Sequence, residues 1–219
     1  MQARRILSGF VSLGMLVSGS AALAQQMPAD LDPTSGARLP YITKAELGEA
    51  GKRVGDIFAR GDDPTTLVRG PLAFAAYNPA VATALLDLHD GAIGGTLDAH
   101  VRELAIIVAC RETNYTFEWA GHARSAKNAG VDDATIEVVR LRKPLTGVPE
   151  ADAAVIQFGR ELIGDRKMSS ATFAKAKELF GAKGAMDLVA VMSTYAVSGF
   201  YGIAVDEHPP GQEMLPPVR

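Results

Sequence analysis

The chain has 219 residues, 47% of them hydrophobic, and a formal net charge of −3 at pH 7. That length builds one domain with a substantial core, and a mildly acidic balance without a basic cluster excludes the electrostatic footprint of a nucleic-acid binder. The single cysteine, Cys110, excludes an intramolecular disulfide.

In chain order, residues 1–24 carry the three parts of a secretory signal peptide: Arg4 and Arg5, an apolar run from Ile6 to Val17, and Ala22-Leu23-Ala24 as a small-x-small cleavage site. Cleavage is expected after Ala24, giving a periplasmic or secreted chain; the Arg4-Arg5 pair leaves twin-arginine export open. Residues 25–42 read as an extended or flexible arm. Thr43 and Glu46 form a capping box, so a helix is expected from there to about Ala59, broken by Gly61-Asp62-Asp63-Pro64. A helical turn around Leu72–Ala76 leads to Asn78-Pro79, a cap followed by a first-turn proline. The helix it opens is expected to end at Gly91.

From Leu97, the residues Leu97, Val101, Leu104 and Val108 recur at helical spacing, with Ile106 and Ile107 beside them. Apolar residues nearly all round predict a central, buried helix. A second helix spans Tyr115–Ala129, with Gly130 suited to a left-handed cap. Asp132 or Asp133 caps a short helix to Leu141, and helices are expected near 150–163, 170–180 and 184–204. Val189–Val205 comes nearest to a membrane span, but Ser193, Ser198, Gly199 and Gly202 punctuate it, which predicts a buried helix. After signal cleavage no membrane association is expected. The fold class is all-α, with 206–219 as a C-terminal tail.

Chemistry concentrates in the two central helices. Glu118 and His122 stand four residues apart and share a face. Glu103 sits beside an apolar run, where a carboxylate needs a partner. His122 is the candidate acid–base residue, with Glu118 and Glu103 to orient it or act on substrate. Arg69, Arg102 and Arg111 are candidates for a carboxylate-binding fork, and Trp119 is a pocket wall or a core residue. His89, His100 and His208 read as exposed, capping or tail residues. Glu103, Glu118 and His122 also form a conceivable ligand set, but no second histidine or HExxH-type signature supports it, so no metal is expected. Cys110, inside the apolar helix, reads as an inert core residue.

Glu103, Glu118-Trp119, His122, Ala126, Gly130 and Asp133-Ala134-Thr135-Ile136 together resemble the carboxymuconolactone decarboxylase family. The resemblance is strong over about 97–140 and looser from Leu67 to Val205. It implies an alkylhydroperoxidase D-like helical bundle over 43–205, and a homo-oligomer, a trimer or a multiple of one. It also implies that Glu103, Glu118 and His122 converge in an apolar pocket near a subunit interface. The implied activity is that of a cofactor-independent lyase, a decarboxylase acting on a small carboxylated, lactone-like or aromatic-derived substrate. The thiol-peroxidase branch of the superfamily has a Cys-x-x-Cys pair where this chain has Tyr115 and Glu118, so its dithiol cycle is not expected. Two other readings stand beside the lyase: a non-catalytic exported binding or assembly protein, and an acid–base isomerase or hydrolase.

Overall fold

The computed structural model describes residues 28–208 and 214–217; the expected signal peptide lies outside them. Among the described residues the regular structure is helical, with two isolated β-bridges, Asp32–Ala37 and Thr43–Leu67, and no strand. Seven α-helices follow in order: α1 Lys52–Phe58, α2 Pro79–Ile93, α3 Ala99–Glu112, α4 Thr116–Asn128, α5 Asp133–Arg140, α6 Glu150–Gly159 and α7 Ser170–Ala204.

The centre is α3, packed against α4, α6 and α7. Asp98 caps it, accepting a hydrogen bond from the Val101 amide at 2.9 Å. Every residue from Leu104 to Cys110 is fully buried. An amphipathic surface helix buries one stripe, whereas this run of α3 is enclosed on all sides, which is why it carries no charged residue. Each large side chain in that run contributes about 1.5–3 kcal/mol by leaving water. A second apolar cluster, including Leu47, Val54, Leu72, Ala82 and Leu86, joins the N-terminal turns to α2.

Several boundaries differ from the sequence expectation. The helix expected from Thr43 is broken into two 3-10 turns, Lys44–Leu47 and Glu49–Gly51, before α1 begins. Gly48 between them has φ 55°, which a right-handed helix does not accommodate. α2 passes through Gly91 and ends at Ile93, with Gly94 as its C-cap. The two expected C-terminal helices are arms of α7 that meet at Gly181, where φ is 72° and ψ is 173°. α7 is long and apolar enough to cross a membrane by length and composition, but half of its most apolar window is buried within the protein. Leu188, Val191, Met192 and Tyr195 there belong to the main core.

The segment expected to be a flexible arm has a defined place from residue 28 onward. Ser35 is fully buried, the Arg38 amide donates to the Val205 carbonyl at 2.7 Å, and the His208 amide donates to Gly36 at 2.8 Å. The C-terminal tail is docked too, with Leu215 buried and its amide donating to Thr116 Oγ1 at 3.0 Å. These contacts are made by irregular backbone, which leaves no periodic trace in a sequence.

Candidate active site

A tight link sets the geometry. After α3 ends, Asn114 takes a left-handed conformation, φ 55°, and the Tyr115 amide donates to the Cys110 carbonyl at 2.7 Å. Asparagine tolerates that region better than most residues. The chain therefore turns back at once, and α4 runs beside α3 with Glu118 and His122 facing Glu103.

His122 Nδ1 lies 2.8 Å from Glu103 Oε2, and Nε2 lies 3.4 Å from Glu118 Oε2. Both ring nitrogens thus face carboxylates. The edge of Tyr195 on α7 packs against the imidazole, with centroids 4.9 Å apart and planes at 81°. Burial by itself would push the His122 pKa down. Hydrogen bonds to Glu103 and then Glu118, with their negative charges, outweigh it and raise the pKa to about 9. The ring is therefore an imidazolium at neutral pH, and each nitrogen donates. An imidazole held between two carboxylates can keep and release a proton. Among the described residues no group of three His, Cys, Asp or Glu side chains is arranged to hold a metal ion.

His122 and Glu118 line a cavity of about 270 Å³ between the N-terminal turns, α2, α4 and α7. Its apolar walls are Phe58, Pro71, Leu72, Leu85 and Leu86; its polar lining is completed by His89, Thr194, Tyr195 and Ser198. That volume lies at the small end of ligand sites, which suits a compact substrate. Glu103 is not in the lining: it touches His122 from behind and positions it.

The three expected triad members converge, while the arginines do not join them. Arg69 is exposed and stacks over the Tyr41 ring at 5.0 Å. Arg102 reaches the Leu97 carbonyl at 3.4 Å. Arg111 is buried and donates to the Pro216 carbonyl at 2.7 Å, lining a different cavity. Trp119 is 7% exposed and part of the main core.

Residues unforeseen in the sequence also contribute. His89, expected to be exposed or capping, lines the cavity and tilts against Tyr195. His100, expected in a similar role, instead pairs with Asp152 of α6 at 2.8 Å. Thr194 and Ser198, four residues apart on an apolar helix, were the legible signal for a polar stripe on α7. Glu207 had none: it comes after α7, yet accepts a hydrogen bond from buried Tyr115 at 3.0 Å. Burial, and secondarily the Glu118 charge, raise the Glu207 pKa to about 7 against the lowering effect of that bond.

Tyr115 also explains Gly202 of α7. A Cβ on Gly202 would stand 2.2 Å from Tyr115 Cε2, so the tyrosine ring packs where only glycine leaves room. Cys110, fully buried, has its thiol pushed well above its ordinary pKa by burial and then by Glu118. Such a group is a poor nucleophile.

Residues 79–158 match the model of the carboxymuconolactone decarboxylase family. The match runs from the first residue of α2 into α6 and contains Glu103, Glu118 and His122; α7, with Tyr195, lies beyond it. Comparison with curated proteins finds no match.

Proposed function

We propose that the protein, whose residues 79–158 match the carboxymuconolactone decarboxylase family model, is a cofactor-independent acid–base lyase. Its substrate is a small lactone-like carboxylate, from which it removes carbon dioxide. The observation that carries this reading is the His122 imidazolium, held from behind by Glu103 and presented with Glu118 to a compact, largely apolar cavity.

Loss of carbon dioxide breaks a carbon–carbon bond and leaves its electron pair on the substrate. A neighbouring lactone carbonyl takes up that pair as an enolate, so the substrate supplies its own electron sink. His122 N–H donates a hydrogen bond to the enolate oxygen, and a proton then passes to carbon. With a pKa of about 9 the imidazolium enters the step as donor, and Glu118 returns a proton from solvent to the ring. No lysine or arginine lines the cavity. Phe58, Leu72, Leu85 and Leu86 accommodate neutral carbon dioxide better than the starting carboxylate, which favours the charge-dispersed transition state.

The test is incubation of the purified protein with small carboxylated lactones in heavy water. Carbon dioxide release matched by deuterium at the former carboxyl carbon is the expected result. Saturable binding of these compounds with no release would replace the lyase by a binding protein.

The mature protein is, in this reading, exported, on the strength of the N-terminal pattern, and homo-oligomeric. Met186, Phe200 and Ile203 on α7 are 55%, 59% and 50% exposed, which supports a covered face in the assembly. Sedimentation is expected to give a trimer or a multiple of one; a stable monomer at micromolar concentration would remove the oligomer.

A further inference from the structure

Four arginines meet at the opposite end of α3 from Glu103. Arg111 stands eight residues after Glu103, about 12 Å further along the helix axis. With Arg140 at the end of α5, Arg142 just beyond it and Arg160 after α6, it lines a cavity of about 400 Å³. Pro216 and Pro217 of the docked tail complete the wall.

Arg111 is only 2% exposed, yet one donor group alone is engaged, Nη2 on the Pro216 carbonyl. Its Nε and Nη1 have no hydrogen-bond partner. Buried guanidinium donors are rarely left unmet without a role. Arg160 Nη2 bonds the Lys143 carbonyl at 2.9 Å, a contact that does not neutralise its charge. Glu137 pairs with Arg140 at 2.6 Å and Glu112 with Arg142 at 3.1 Å, and neither carboxylate lines the cavity. Burial lowers the Arg111 pKa, and the charges of Arg142 and Arg140 press it down further against the pull of Glu112.

We propose that Arg111, Arg140, Arg142 and Arg160 form a binding site for a small, multiply charged oxyanion, separate from the His122 cavity. Planar guanidinium forks suit phosphate or polycarboxylate oxygens, and Arg111, part of the lining, carries two buried donors without a partner. No residue is shared between the linings of the two cavities.

Calorimetric titration of the full chain at constant ionic strength tests this, with inorganic phosphate and citrate as probes and chloride as the background anion. Saturable binding of at least one probe is expected. Saturation by phosphate alone identifies a phosphate-type site, and by citrate alone a polycarboxylate site. Arg111→Met and Arg142→Gln are each expected to weaken binding at least tenfold. Arg142 is partly exposed, so its variant keeps the test decisive if Arg111→Met fails to fold. His122→Gln, and Arg53→Gln on α1, whose partners are Asp87 and Asp90, are expected to bind as the unaltered chain does. No saturable binding, or equal affinity in Arg142→Gln, would overturn the proposal. Loss of binding in His122→Gln would also overturn it, by returning the anion to the lyase site.

Discussion

Replacing His122 by glutamine is expected to lower kcat for carbon dioxide release by about 10²–10⁴-fold, the range over which a positioned acid–base group acts. The neutral amide keeps hydrogen-bonding capacity but cannot deliver a proton, so KM should change far less than kcat. The unaltered protein should also lose kcat/KM as pH rises past about 9. There the imidazolium gives up the proton that Glu103 and Glu118 help it keep, and the acid form disappears. Glu103→Gln removes the negative charge facing Nδ1 without touching the cavity lining, so the alkaline limb should move to lower pH. Steady-state rates from pH 6 to 10 for the three proteins check this. A kcat unchanged in His122→Gln would sink the assignment of His122 as the donor.

The family resemblance is what pointed to the convergence of Glu103, Glu118 and His122, and its physical cause is local. Glu118 and His122 share a face by helical spacing, and the short link after α3 leaves the chain no room to travel before α4 starts. Glu103 stood out because a carboxylate beside seven consecutive buried residues demands a partner. The arginine fork was a weaker inference, because tertiary packing decides where a long side chain ends. Arg111 shows the reason: eight residues after Glu103 is two turns along α3 and about 80° round it, so the two side chains serve different sides of the helix. The His89 side chain is 42% exposed, as expected, and its place in the cavity lining is what the sequence did not show. With α2 ending at Gly91 it would sit in a fraying last turn, but the helix continues to Ile93 and brings His89 against Tyr195. Tyr195, Thr194 and Ser198 reach the cavity only because α7 crosses α2 and α4, a long-range arrangement that no window of sequence contains.

The same imidazolium makes stability depend on pH. In an unfolded chain a histidine titrates near 6.5; in the folded protein burial opposes the charge and the two carboxylates overcome it, giving about 9. A group whose pKa is raised by folding stabilises the protein fully below its unfolded value and loses that contribution as pH rises through the folded value. The window is therefore pH 6.5 to about 9, and the difference between those values corresponds to roughly 3 kcal/mol, shared between Glu103 and Glu118. Denaturant unfolding of the unaltered protein and of His122→Gln at pH 7 and pH 10 isolates it. At pH 7 the imidazolium offsets the mutual repulsion of Glu103 and Glu118, and the variant should be clearly the less stable. At pH 10 the unaltered protein holds a neutral ring between two carboxylates, one ring nitrogen can no longer donate, and most of its advantage should vanish. An advantage that stays constant across that interval would mean that His122 is neutral in the folded protein at pH 7, and that packing against Tyr195, not charge, is what it contributes.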